Sequence, residues 1–288
     1  MDIVEKDSKI ILKNPDSFDL AHIFECGQCF RFNRISEESF RGVVSGKVLT
    51  ITQKDDDIVF ENTSFTDFKN VYENYFDLSC DYSEIKSNLS KDPVLKEAIS
   101  FGGGIRILKQ DLWETVVSFI ISASNNIPRI KKIIESFCCN FGKKIIYDGK
   151  EFYSFPTPAE ISNLTLEDLG VIKAGYRDKY ILDARDKFLS GEISYEKLKS
   201  LSYTGAKKEL LKIKGVGNKV ADCILLFGLS KTDSFPVDVW VKRVMEHFYF
   251  EGEQSIPEIE RFAKRTFGNL GGYAQQYLFF YARENKIG

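Results

Sequence analysis

The stretch Leu210-Leu-Lys-Ile-Lys-Gly-Val-Gly-Asn-Lys-Val-Ala-Asp-Cys-Ile224 constrains this chain more than any other. Gly215 and Gly217 interrupt one helical pattern, and a second starts at once. The spacing predicts a short helix over 206–212, a tight turn at Gly215-Val216-Gly217, and a second helix capped by Asn218. Val220, Cys223, Ile224 and Phe227 recur at helical spacing, so one face of the second helix is buried. Glycines beside a helix start let backbone N–H groups approach an anion closely, and the helix dipole adds partial positive charge there. Lys219 falls in that first turn. Further on, Asp238 closes the apolar run Phe235-Pro236-Val237, where Pro236 holds Phe235 extended and Asp238 is placed to cap the next helix.

The rest of the chain divides in two. Residues 9–13, 39–44, 47–52 and 57–61 are β-branched or apolar runs of strand length, with turns at Ser45-Gly46 and over 54–57, and they read as an antiparallel meander. From 66 to 100 the spacing becomes helical. Phe101-Gly-Gly-Gly104 marks the change, and we expect one domain over 1–107 and a second over 108–288. The second reads as mostly helical: a helix opening at Asp111 and breaking at Ser124-Asn125-Asn126, another from Ile127-Pro128 to Gly142, and short ones over 156–164 and 165–171. Helices over about 177–189, 237–248, 256–268 and 271–284 complete it. The fold class expected is α+β, an N-terminal antiparallel sheet domain with short helices followed by a mostly α-helical domain built on the hairpin.

Composition bounds the partners. A net charge of −2 and a pI near 5.9 argue mildly against nucleic acid, but residues 1–109 carry 14 basic and 19 acidic side chains and residues 110–288 carry 26 and 23. The second part has room for a basic face, and backbone amides bind phosphate without side-chain charge. No run approaches the ~18 apolar residues of a membrane span and the start lacks a signal pattern, so a cytoplasmic protein is expected, nucleoid-associated or nuclear according to its source. Six cysteines stand at 26, 29, 80, 138, 139 and 223. Cys26-Gly-Gln-Cys29 has metal-like spacing without a second pair to match, which argues against a structural zinc.

The Gly-Val-Gly turn, Lys219 and Asp238 together resemble the signature of helix-hairpin-helix base-excision DNA glycosylases, and Lys219 resembles the bifunctional 8-oxoguanine glycosylase/lyase branch. The resemblance is strong at 119–129, 172–180 and 210–238 and looser at 24–32 and 271–280. It implies that Lys219 is the nucleophile that attacks the sugar, displaces the base and forms a Schiff base, from which β-elimination cuts the strand. A free lysine amine is scarce at neutral pH, about one in 2,500, and a helix start followed by apolar residues favours it. The resemblance also implies that Asp238 stabilises positive charge on the sugar. The Gly27 carbonyl would meet N7 of the extruded base, protonated in 8-oxoguanine and bare in guanine. Cys223 and Phe279 would sandwich that base while Gln275 reads its Watson–Crick edge. Asn125, Asn126, Arg129, Tyr176 and Arg177 would fill the gap and grip the orphaned cytosine, with Tyr176 as the wedge. Gly215 and Gly217 would hold DNA phosphate, with a monovalent cation on the hairpin carbonyls.

What the resemblance implies overall is a monomeric enzyme acting on double-stranded DNA containing 8-oxoguanine opposite cytosine, with no required cofactor and no membrane partner. Some glycosylases of the superfamily carry an iron–sulfur cluster after the catalytic region, and no cysteine follows Cys223 here. The chain departs from eukaryotic members at Ser124, Trp240 and Ala282, and the contacts made there are not carried over. Two other readings stand beside this one. An alkylpurine glycosylase shares the two-domain plan but typically lacks a catalytic lysine, and a non-catalytic hairpin module needs neither Asp238 nor Gly27 nor Gln275.

Overall fold

The computed structural model describes residues 2–287. Its first layer is a six-stranded antiparallel sheet: β1 (Asp2–Lys6), β2 (Lys9–Lys13), β3 (Asn33–Arg34), β4 (Ser39–Val44), β5 (Lys47–Lys54) and β6 (Asp57–Glu61), in the order β1-β2-β6-β5-β4-β3. Strands β4 to β6 form a meander as expected, while β2, expected to precede β4 in it, pairs instead with β6 at Ile10–Phe60 and Leu12–Ile58. The alternation is visible in burial, since Ile10, Leu12, Ile58 and Phe60 all point inward. The sequence reading misses β1 and β3, which are edge strands with few buried side chains. Charged residues on β1 suit an edge that must not pair further.

Helix α1 (Leu20–Glu25) crosses between β2 and β3. A compact helical stretch follows the sheet, α2 (Phe65–Asp67), a π-turn over Phe68–Tyr72 and α3 (Glu73–Tyr75). Its Phe68 and the following Phe76 meet Phe60 edge-on at 5.2 and 5.4 Å between centroids, which seals one face of the sheet. Helices α4 (Tyr82–Leu89) and α5 (Pro93–Gly102) follow, and their buried side chains belong to the larger, helical core. The chain passes from the sheet core to the helical core between Phe76 and Tyr82, and the glycine run after α5 packs back on the first domain, where a Cβ on Gly104 would lie 2.3 Å from that of Asp19. Buried Arg106 locks this crossing by donating to the carbonyls of Asp16, Phe76 and Asp77 at 2.8–3.0 Å.

The helical layer contains α6 (Leu112–Ser122), α7 (Ile127–Phe141), α8 (Leu166–Leu169), α9 (Asp178–Leu189), α10 (Tyr195–Ser200), α11 (Tyr203–Leu210), α12 (Asn218–Leu229), α13 (Val239–Tyr249), α14 (Ile256–Phe267) and α15 (Gly271–Asn285). Caps explain their starts: Asp111, Asn126 and Asp238 each accept the N–H of the third residue on. Three local expectations change. The helix expected over 156–164 is a set of turns, since Thr157 and Glu160 cap one another without enough chain to propagate. A hairpin intervenes after α7, β7 (Lys144–Tyr147) with β8 (Lys150–Tyr153), and its Asp148-Gly149 turn has both φ values positive, a strand-reversal signal that the sequence does carry. Finally, α11 starts earlier, at Tyr203 with Ser202 as its N-cap.

Candidate active site

The hairpin turn positions everything else. Gly215 has φ +85°, and a Cβ there would lie 2.4 Å from the Tyr180 ring, so only glycine fits both the backbone and the packing. The N-cap of α12 is extended Gly217 rather than Asn218, and no side chain caps the helix. The first N–H groups of α12 therefore have no side-chain acceptor, and around Gly217 nothing lies within 4 Å of where a Cβ would be. That opening leaves room for a phosphate beside bare amides. Gly215→Ala is expected to weaken DNA binding and lower the melting temperature together, measured by titration and thermal denaturation. An unchanged affinity would show that the turn is not a phosphate seat.

From this start α12 runs into the core, with every side chain from Val220 to Leu229 buried. Lys219 stands at the rim, its Nζ 5.4 Å from the centre of the Phe119 ring. One turn on, Cys223 is 4% exposed, and burial pushes its thiol up to about 11 against the pull of the nearby Lys219 ammonium. Asp238 reaches the same place as the N-cap of α13, its Oδ1 accepting the Val241 N–H at 2.8 Å. Burial raises its carboxyl above the usual range, while that N–H and Lys219 hold it down.

The opposite wall comes from α15 and the loop after α1. Gly27 has φ +79°, and a Cβ on it would come within 3.3 Å of the Phe279 ring. The carbonyls flanking Gly27 are engaged: that of Cys26 accepts from Gln276 at 3.0 Å and that of Gln28 accepts from Gln110 at 2.7 Å. The Gln28 side chain is buried and spans the Ile23 and Arg106 carbonyls and the Leu108 N–H. Gly27 is thus presented on a braced loop. Gln275 is 5% exposed, and its Oε1 is buried without a hydrogen-bond partner.

Lys219, Asp238, Gly27, Cys223, Gln275 and Phe279 line one cavity of about 40 Å³, together with Cys26, Phe119, Phe227, Pro236 and Gln276. That space has room for a few waters, and it opens to solvent. Phe279, half-buried against Gly27, forms one side of it. A far larger cleft of about 620 Å³ lies at the other end of α12, around Lys109, Glu114 and Tyr195, and contains none of the six. Volume is a poor guide here, because the small cavity is where the amine, the carboxylate and the orphaned amide oxygen converge. Sequence reasoning missed Phe119 and Gln276. Phe119 lies on a helix buried on nearly every side, and Gln276 looks interchangeable with its neighbour until the helix phase is known.

The remaining candidates form a second group. Arg177 is buried, its guanidinium donating to the carbonyls of Ala123, Ser124 and Ala174 and lying 4.4 Å from the centre of the Tyr176 ring. It ties the 123–126 loop to the 175–177 loop. Asn125 donates to the Ile121 carbonyl at 3.1 Å and Asn126 caps α7. Arg129, in the first turn of α7, and Tyr176, on the 175–177 loop, are exposed. Among the described residues no group of three or more His, Cys, Asp or Glu is placed to hold a metal ion. In the hairpin turn the Ile213 carbonyl accepts the Val216 N–H at 3.1 Å.

Two family models tile the chain. The N-terminal domain of 8-oxoguanine DNA glycosylase matches residues 10–116, and the HhH-GPD superfamily of base excision DNA repair proteins matches residues 117–268. A probable N-glycosylase/DNA lyase of Methanothermobacter thermautotrophicus is 32% identical over 232 residues, 74% of each chain. The N-glycosylase/DNA lyase of Saccharomyces cerevisiae is 31% identical over 261 residues, 82% of this chain and 69% of that one. The solved structure of Clostridium acetobutylicum 8-oxoguanine glycosylase/lyase, in complex with double-stranded DNA containing cytosine opposite 8-oxoguanine, is 46% identical with a TM-score of 0.97. It covers 100% of this chain and 99% of that one.

Proposed function

The chain belongs to the 8-oxoguanine DNA glycosylase family of the HhH-GPD superfamily, and from that premise we propose that it is a bifunctional DNA N-glycosylase and abasic-site lyase. Its substrate is 8-oxoguanine in double-stranded DNA, and the observation that carries the reading is the buried, partnerless Oε1 of Gln275 in the same cavity as Lys219 and Asp238. A buried amide oxygen without a donor costs stability unless a ligand supplies one, and the Watson–Crick edge of a flipped purine does so. The Gly27 carbonyl faces the N7 hydrogen that guanine lacks, while the neutral Cys223 thiol and the Phe279 ring cover the base.

In this reading the unprotonated Lys219 amine forms a bond to C1′ as the glycosidic bond breaks, and the departing base takes the bonding pair. Asp238 stabilises positive charge on the sugar as it develops. The added amine loses a proton and its lone pair expels the ring oxygen, which leaves as the C4′ hydroxyl and gives a protonated Schiff base. Loss of a C2′ proton then drives β-elimination, in which the 3′ C–O bond breaks and the 3′ phosphate departs. The hairpin amides at Gly215 and Gly217 hold the backbone, with a monovalent cation on the turn carbonyls, and the chemistry needs no other cofactor. Borohydride trapping on an 8-oxoguanine duplex tests this. A stable protein–DNA adduct on the lesion duplex and none on an undamaged one is expected, and its absence overturns the reading.

The exposed Arg129 extends the proposal to the partner base. Orphaned cytosine offers N3 and O2 as adjacent acceptors, whereas adenine presents a donor at N6. Loss of one bidentate contact costs ~1–3 kcal/mol, so excision opposite cytosine should exceed that opposite adenine by about five- to 150-fold. Arg129→Ala should flatten the preference by slowing the cytosine duplex. Single-turnover rates on duplexes differing only in the opposing base decide it, and equal wild-type rates would remove partner reading from these loops.

A further inference from the structure

Helix α9 touches both ends of the DNA-facing surface. Tyr180 and Asp183 are spaced i, i+3 on α9 and so share one face, and Tyr176 stands on the 3₁₀ turn that leads into the helix. At one end Tyr176 stands 53% exposed on the loop that Arg177 ties to the 123–126 loop, and its ring meets Tyr180 edge-on at 5.9 Å. At the other end the Tyr180 ring lies flush on Gly215, leaving no room for a Cβ. Asp183, a turn further along, accepts the Lys214 N–H at 2.9 Å and pairs with the Lys214 and Lys187 ammonium groups at 3.5 and 3.4 Å. Two side chains of one helix thus grip the turn that opens α12, four residues before Lys219.

We propose that Tyr180 and Asp183 are positioning residues that couple insertion of Tyr176 into the DNA stack to the placement of the hairpin turn carrying Lys219. The inference rests on the glycosylase reading above. Its physical basis is a short rigid path: Tyr176 pushed by a base stack presses on Tyr180, and Tyr180 cannot move without displacing Gly215 or losing contact with it. Close-packed contacts of this kind transmit small shifts because they have no slack. A helix that only supported the hairpin would need the contact to Gly215 but not the contact to Tyr176.

The test is a double-mutant cycle on single-turnover excision from an 8-oxoguanine:cytosine duplex, with affinity and melting temperature measured alongside. Tyr180→Leu should slow excision about tenfold and lower affinity for the duplex by a smaller factor, since the displaced turn also holds phosphate. Tyr176→Ala added to Tyr180→Leu should slow it little further, since the path is already cut. Tyr180→Phe should restore the wild-type rate, because the contact to Gly215 is made by Cβ, Cγ and Cδ2 and not by the hydroxyl. If Tyr180→Leu does not fold, Asp183→Ala in the same cycle carries the same expectation. Effects of Tyr176→Ala and Tyr180→Leu that multiply, or equal losses in affinity and rate, would overturn the coupling. Failure of wild-type protein to excise 8-oxoguanine at all would instead sink the glycosylase reading.

Discussion

Replacing Lys219 with Gln is expected to abolish the borohydride-trapped adduct and reduce base loss to background while binding to the lesion duplex survives. The side chain is half-buried at the rim, above the Phe119 ring and in the electrostatic field of Asp238. Gln keeps the length and polarity of Lys without the nucleophilic nitrogen, and a half-exposed position tolerates such a change with little loss of stability. Both activities depend on the same C1′–N bond, so glycosylase and lyase should disappear together. Electrophoresis after borohydride treatment gives the first readout and single-turnover base release the second. Adduct formation at the wild-type level in Lys219→Gln would remove this residue from the mechanism.

Asp238→Asn should cost excision about 10²–10³-fold and leave the fold and DNA affinity almost unchanged. Asn caps a helix about as well as Asp, so the Val241 N–H keeps an acceptor. The sign of the ionisation shift supports the same outcome. Burial raises the Asp238 carboxyl in the folded protein, so its contribution to stability is fully present below the unfolded-state value and is lost as pH rises through the folded value. At neutral pH the ionised carboxylate therefore opposes folding slightly, and a neutral Asn should not melt lower. The raised value also moves the acid limb of the wild-type rate profile above the usual carboxylate range, and Asn should erase that limb. A variant that melts far lower, or one that excises at nearly the wild-type rate, would reduce Asp238 to a helix cap.

What a single strand or helix does was largely legible without coordinates. Strands 39–44 and 57–61 follow from period-two runs with turns at their ends, and α7 follows from Asn126, Pro128 and Gly142, because these signals are local and each acts within a turn or two of chain. The edge strands β1 and β3 were not, since a strand with little buried surface carries no alternation, and the Asp148-Gly149 hairpin signal went unread between two helical runs.

The sequence by itself determined the hairpin that carries Lys219, because a glycine turn, a lysine at a helix start and a capping aspartate each have a meaning at short range. Only the tertiary structure decided that Gly27, Gln275 and Phe279, separated from Lys219 by 192, 56 and 60 positions, share one cavity with it. It also decided which donors are spent. Arg177 looked like a free base reader, yet its guanidinium is buried in loop carbonyls, while Arg129 remains exposed. The reason is physical: helical and strand periodicity reports which face is buried, but not what it is buried against. A side chain's chemistry depends on that second fact. Gln275 and Gln276 are adjacent and chemically identical, and the rotation of α15 alone makes one a brace for the Cys26 carbonyl and leaves the other's oxygen open to a ligand.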